Sequence, residues 1–342
     1  MKKLLNTLYI MSEDCYLSFK NENVVVNTND MKRMVPLIGI ESIITFSYKG
    51  VSPQLAGECH ERGIGLSCLT PNGRFLCMPS GRSRGNVLLR KEQYRIADDD
   101  KRSLLIAQNM IIGKMYNSNT LLKRYKREYS LRIDTQKIDR ANALISSYIE
   151  ACRKVFDIDT LRGLEGKAAD TYFSVFDLLV LNQGEDFSFD GRSKRPPLDR
   201  INAMLSFGYT LLAHDCASAL EAVGLDSYVG FMHTDRPGRM SLALDIMEEM
   251  RSMMVDRFVL SLINQKMIKA EDFRIESSGA VFLNDDGRKK FLTYWQERKK
   301  EQLFHPFLKE KIYWGLVPHI QALLLARLIR GDYDAYPVFM WR

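Results

Sequence analysis

The hydrophobic period of this chain changes once, and that change fixes its fold class. In the first 80 or so residues the apolar side chains come in short runs. Residues 4–11, 16–19, 24–26, 43–46, 66–69 and 74–77 read as strands. Asn21-Glu22-Asn23 makes one turn, and Pro71-Asn72-Gly73 makes a hairpin, because Asn-Gly accepts the positive φ that a tight turn needs. One helix interrupts the strands: Ser52 caps it, Pro53 opens it, Leu55 and Cys59 share a face, and Gly63 ends it. The basic, glycine-containing stretch 80–85 follows. Beyond it the period is helical, beginning with Leu104, Ala107, Ile111 and Met115 on one face. Helices are expected over 138–156, 160–182, 198–223, 240–262 and 285–301, with a last one through 322–329 that stops at Gly331. A late hairpin is expected over 273–283, around Ser278-Gly279. The pattern predicts an α+β protein: a small N-terminal β-rich domain (1–80), a linker (81–90) and a larger, mainly α-helical domain (91–342).

A chain of 342 residues has room for about two domains, and 46% hydrophobic content supplies their cores. The net charge of +7 admits nucleic acid, an anionic membrane or an acidic substrate, without choosing among them. Six cysteines without a CxxC pair argue against a zinc ribbon and for reduced core thiols, hence a cytoplasmic setting. Asn6 and Thr7 break the first apolar run, so the N-terminus reads as a strand and not a signal peptide. No apolar run reaches the ~20 residues of a membrane span. No Walker motif, no GxGxxG after a strand and no GxSxG elbow is present (the one GxSxG string, 81–85, lies in the polar, basic stretch and not at a strand-to-helix turn), which leaves nucleotide-driven phosphate transfer and serine hydrolysis without support.

The richest segment is 230–248, which gathers His233, Arg236, Arg239, Asp245 and Glu248 around Pro237-Gly238 and the start of a helix. Imidazole and carboxylate bind divalent metals, and guanidinium binds phosphate. Asp245 and Glu248 are i and i+3, so both can face the loop that carries the histidine. Glu165 heads the stripe Ala169, Tyr172, Phe176, Leu179, which makes it a carboxylate on a buried face, between Gly163 and Gly166. Asp199, Asn202, Ser206 and Tyr209 form a polar stripe on the helix after Pro197, and Arg192, Lys194 and Arg195 precede it. Each feature also has a plainer reading. Glu165 would be a first-turn glutamate favoured by the helix dipole, His233 a polar loop residue, and the acidic stripe of Asp245, Glu248, Glu249, Ser252 and Asp256 a solvated face. His214, inside an apolar run, reads as a core histidine.

Three segments in order carry a resemblance. They are Leu161-Arg162-Gly163-Leu164-Glu165-Gly166, the stretch from Arg195-Pro196-Pro197-Leu198-Asp199 through Asn202 to Tyr209, and Gly230-Phe231-Met232-His233 through Asp245 to Glu248. Together they resemble the CRISPR-associated spacer-acquisition integrases, the Cas one family, over nearly the whole chain, with a look of subtype I-C. The resemblance implies a metal-dependent DNA endonuclease and integrase using Mg²⁺ or Mn²⁺. It implies a homodimer paired through the β domains, acting on double-stranded DNA with the small Cas two protein as partner. Carried over residue by residue, the metal ligands and catalytic residues fall on Glu165, His233 and Glu248, with Asp245 as an acidic neighbour and Asn202 close by. The tyrosine that some members carry near the site is Phe207 here, with Tyr209 the nearest phenol. Arg192, Lys194, Arg195, Arg236 and Arg239 are the expected DNA contacts. Two other readings stay open: a non-catalytic nucleic-acid-binding scaffold, and a structure-selective nuclease acting on branched DNA.

Overall fold

A computed structural model describes residues 6–29, 31–70, 75–79, 87–182 and 186–341. The hairpin turn expected at 71–73 and the basic stretch 80–85 lie outside these residues.

The strand-rich part comes first. Its elements are β1 (Thr7–Ile10), β2 (Tyr16–Lys20), β3 (Asn23–Asn27), β4 (Lys32–Pro36), β5 (Ser42–Thr45), α1 (Pro53–Glu61), β6 (Gly65–Leu69) and β7 (Phe75–Cys77). β2, β3 and β4 form an antiparallel sheet. β1, β5, β6 and β7 form a second sheet in that order, parallel except for β6–β7. The turn between β2 and β3 puts Asn21 and Glu22 at positive φ, as a tight hairpin turn requires. β4 was not legible as a strand: it is a charged edge strand with most of its residues exposed, and its side chains do not alternate. The α1 signals hold as read, with Ser52 accepting the Leu55 N–H and Leu55 and Cys59 buried. Ile43 faces a small core with Leu17, Val24, Leu55 and Leu66, while Ile44, Phe46 and Leu69 join the main helical core. The second sheet is therefore covered on both faces.

The helical part comprises α2 (Val87–Ala97), α3 (Asp100–Tyr129), α4 (Thr135–Cys152), α5 (Ile158–Phe173), α6 (Arg200–Val223), α7 (Ser241–Glu248), α8 (Arg257–Asn264), α9 (Asp285–Lys299) and α10 (Val317–Ile329). Two antiparallel hairpins accompany them: β8 (Phe273–Ile275) with β9 (Val281–Leu283), and β10 (Gln302–His305) with β11 (Glu310–Tyr313). α3, 30 residues long, packs against α4, α5 and α7. No helix among the described residues is long and apolar enough to cross a membrane.

Three expectations need correction. The run 160–182 is not one helix: α5 stops at Phe173, and a short 3₁₀ turn covers Phe176–Leu179. The run 240–262 is also broken. Asn117 donates to the Glu249 carbonyl at 2.6 Å, which draws that carbonyl out of the helical ladder, and a π turn at Ser252–Asp256 precedes α8. Glu165 does not open a helix either. α5 starts at Ile158 under an Asp157 cap, so Glu165 lies about two turns inside and the helix-dipole explanation fails.

Candidate active site

The acidic stripe on α7 and the turn after it is not a solvated face. Asp245, Glu248, Glu249, Ser252 and Asp256 are all buried, as are Ala243, Ile246, Met247 and Met250 on the other side. A helix surrounded by protein must give each carboxylate a partner, and those partners build the site.

Asp245 takes the His233 loop. Its carboxylate accepts the backbone N–H groups of Phe231 (2.6 Å), Met232 (3.0 Å) and His233 (3.0 Å), and lies 2.5 Å from His233 Nδ1. An ionised carboxylate only accepts, so Nδ1 carries the proton and Nε2 keeps its lone pair. Gly230 makes the approach possible, since a Cβ there would fall 2.7 Å from Asp245 Oδ2. Arg162 fixes the far side of the loop by donating to the Met232 carbonyl.

Glu248 meets Glu165 through a residue that the sequence did not mark. Lys114, midway along α3, pairs with Glu165 and lies 2.6 Å from Glu248 Oε2. Arg251 donates to Glu248 Oε1 at 2.8 Å. Burial raises the Glu248 carboxyl pKa, but Arg251 and Lys114 outweigh it and hold the group ionised, well below its ordinary value. The only sequence signal for Lys114 was its being the one charged residue between Arg102 and Lys123. Gly163 and Gly166, beside Glu165, border open space: a Cβ on either would meet no atom within 4 Å.

The polar stripe of α6 turns inward and takes Arg192. Asn202, fully buried, accepts from Arg192 (2.6 Å) and from the Ser193 N–H (3.1 Å), and donates to the Gly191 carbonyl (2.8 Å). Arg192 also reaches Ser206 at 3.1 Å and stacks over the Tyr209 ring. Arg251 covers the same ring at 4.1 Å. The Tyr209 hydroxyl lies 2.5 Å from buried Asp256, which also accepts from Tyr172 at 2.9 Å. Phe207 packs against Phe46 and Phe291 in the core.

The remaining cations ring this centre. Partial desolvation and the nearby charges of Arg251, Arg192 and Lys114 push the Lys194 amine pKa down, against the pull of Glu248. Arg239 is pushed down by partial burial and by Arg236, with Arg162 and Arg195 adding to the effect. The loops around Arg195 and around Arg236–Arg239 thus bring like charges together. Lys194 and Arg195 continue into an open groove of 910 Å³, which Pro237, Gly238 and Met240 also line.

The chemistry of the donors fits a hard divalent cation. Two carboxylates converge on one positive charge, and an imidazole near them keeps a free ring nitrogen. The partner of Glu248 Oε2 among the described residues is the Lys114 ammonium at 2.6 Å. Among the described residues, no three His, Cys, Asp or Glu side chains stand close enough together to hold a metal ion as they are, with Lys114 lying between the two carboxylates.

Fold and centre together define a class: α+β proteins with a β-rich beginning and a helical body that buries a carboxylate–imidazole centre within a ring of cations. The model of the family "CRISPR associated protein Cas1" matches residues 8–297. The chain is 46% identical to the CRISPR-associated endonuclease Cas1 1 of Chlorobaculum tepidum over 343 residues, covering all of both chains. Its fold is similar to that of a CAS1 protein from Thermotoga maritima (TM-score 0.83, 22% identity, 97% of this chain and 99% of that one). It is also similar in fold to a casposase bound to an integration product (TM-score 0.82, 23% identity, 96% and 91% covered). The chain belongs to the Cas1 family.

Proposed function

We propose that this chain is a metal-dependent DNA endonuclease and integrase that inserts captured DNA fragments into a CRISPR array. The observation that carries the reading is the convergence of Glu165 and Glu248, from separate helices, on one cation next to the imidazole held by Asp245. Glu165, His233 and Glu248 would hold Mg²⁺ or Mn²⁺. The ion supplies polarisation of the scissile phosphate and stabilisation of the 3′ oxygen.

The chain's own residues supply the rest. Asp245 fixes the imidazole tautomer so that Nε2 is presented unprotonated. Lys194, Arg195, Arg236 and Arg239 hold phosphates on the rim, while Arg192 shapes the loop that carries the first two. In integration, the 3′-OH of the fragment forms a new P–O bond to repeat DNA. The bond from that phosphorus to the repeat strand's 3′ oxygen breaks, the attacking hydroxyl loses its proton and the departing oxygen gains one. One phosphodiester replaces another, so no external energy source is needed.

A division at 1–80, 81–90 and 91–342 goes with this reading, the β-rich domain pairing two copies and the Cas two protein joining them on double-stranded DNA. Membership of subtype I-C is a further part of the proposal. The test is strand transfer into a supercoiled, repeat-containing target with the partner protein and Mg²⁺ or Mn²⁺, against an EDTA control. His233→Ala is expected to give no product; transfer at the normal rate by that variant, or in EDTA, would overturn the reading.

A further inference from the structure

We propose that Lys114 is a positioning residue of this centre: its ammonium draws Glu165 and Glu248 to one point and competes with a divalent cation for them, so that the ion displaces the lysine when it binds. The inference rests on the metal-site reading above. The lysine is long, but its backbone is pinned on both sides. At Gly113 the helix abuts Val338 so closely that a Cβ would clash with it. Asn117 donates to the carbonyls of Glu249 (2.6 Å) and Phe339 (2.7 Å) and accepts from the Trp341 N–H (2.9 Å). The segment of α3 that carries Lys114 is thus tied to the end of α7, directly after Glu248, and to the stretch Val338–Trp341.

The pairing is also enclosed. The side chains of Lys114, Glu165 and Glu248 are 14%, 22% and 6% exposed. Two carboxylates this close repel unless a positive charge lies between them. A divalent ion coordinated by the same oxygens and an ammonium at 2.6 Å from one of them cannot share the position. Arg251 and Lys194 already crowd the surroundings, so the displaced charge moves into a region that an incoming phosphate neutralises. Metal and DNA phosphate are thereby coupled through one side chain.

The experiment compares Mn²⁺ binding by calorimetry, and melting in EDTA, for the full chain and its Lys114→Met, Lys114→Arg and Glu165→Gln variants. Lys114→Met is expected to melt lower than wild type in EDTA and to bind Mn²⁺ about tenfold more tightly. Lys114→Arg should stay near wild type on both counts, and Glu165→Gln should lose Mn²⁺ affinity. If wild type binds Mn²⁺ and Lys114→Met binds it equally or more weakly, the Lys114 proposal fails and the metal site stands. If wild type binds no Mn²⁺, both fail. Should Lys114→Met not fold, wild type decides alone. Acetylation of Lys114 by a water-soluble acylating reagent, read by mass spectrometry, should rise several-fold from EDTA to Mn²⁺ while exposed lysines stay constant. No rise overturns the proposal.

Discussion

Asp245 Oδ1 lies 2.5 Å from His233 Nδ1, and the same carboxylate gathers three consecutive backbone N–H groups of the histidine's loop. One buried side chain thus sets both where the imidazole stands and which nitrogen it presents. Asp245→Asn turns an acceptor into a group that also donates, facing donors. We expect strand transfer to fall by about 10–100-fold, the range seen when the partner of a metal-binding histidine is changed. The variant should also melt well below wild type, because N–H groups lose an ionised acceptor. Full strand transfer by Asp245→Asn would refute the orienting role.

The two carboxylates differ in burial, and that separates their effects on stability from their common effect on chemistry. Glu248 is 6% exposed and holds both Arg251 and Lys114; Glu165 is 22% exposed and, among the described residues, pairs with Lys114. Glu248→Gln strands a buried guanidinium and should cost about 3–5 kcal/mol in urea unfolding at neutral pH. Glu165→Gln leaves Lys114 with Glu248 and should cost roughly 1.5–3 kcal/mol. Both should lose strand transfer in Mg²⁺ or Mn²⁺. A reversed order of stability would contradict the arrangement of partners.

Tyr209 is a phenol beside the centre, but its hydroxyl is committed to Asp256 at 2.5 Å and its ring lies beneath Arg192 and Arg251. Burial, then the Asp256 charge, raises its pKa, so it stays a protonated donor at neutral pH. Tyr209→Phe is expected to cost about 1–3 kcal/mol of stability and to keep strand transfer within a few-fold of wild type. Loss of strand transfer in a Tyr209→Phe protein with wild-type circular dichroism would assign the phenol to the chemistry instead.

The contrast between Tyr209 and Lys114 shows what a sequence conveys here. Periodicity placed α6 and the α7 segment, and local spacing placed His233, Asp245 and Glu248 in one neighbourhood, because i, i+3 geometry needs no tertiary information. The α1 cap and the late hairpin were legible for the same local reason. The inward turn of the acidic stripe was not, since only helices packed on every side distinguish a buried carboxylate from a solvated one. Nor was Lys114, whose role depends on α3 crossing both carboxylate-bearing helices. The break after Glu248 comes from Asn117, which is distant in sequence, so helical propensity alone ran straight through it.

His214 gives a pH dependence that can be isolated by substitution. Burial lowers its pKa to about 4 from an ordinary value of 6.5. The folded state therefore resists protonation that the unfolded state accepts. The stability contributed by the neutral ring is fully present above pH 6.5 and is lost as pH falls toward 4. At about 1.4 kcal/mol per pKa unit the loss reaches roughly 3 kcal/mol. Glu249, raised to about 7 by burial, has the opposite sign and loses its contribution as pH rises from 4.5 through 7. The readout is therefore the difference between wild type and His214→Gln in urea unfolding from pH 7.5 to 4.5. The gap should shift in favour of the variant as pH falls; a constant gap would show that His214 titrates normally.

The rim arginines should separate DNA binding from architecture. Arg195 and Arg236 are exposed, and Arg239 is crowded by like charges, so these guanidinia are available to phosphate. Arg192 is spent inside the protein on Asn202, Ser206 and the Tyr209 ring. Each phosphate contact releases a condensed counterion, so its removal lowers the dependence of log affinity on log salt by about one. Arg195→Ala, Arg236→Ala and Arg239→Ala should each reduce that slope by about 1, measured by fluorescence anisotropy on duplex DNA across a NaCl series. Their melting temperatures should stay near wild type. Arg192→Ala should do the reverse. It leaves Asn202 Oδ1 without its charged donor and Ser206 without its partner, and is expected to cost about 2–4 kcal/mol with little change in salt slope. A slope unchanged in all three rim variants would move the DNA path elsewhere on the molecule.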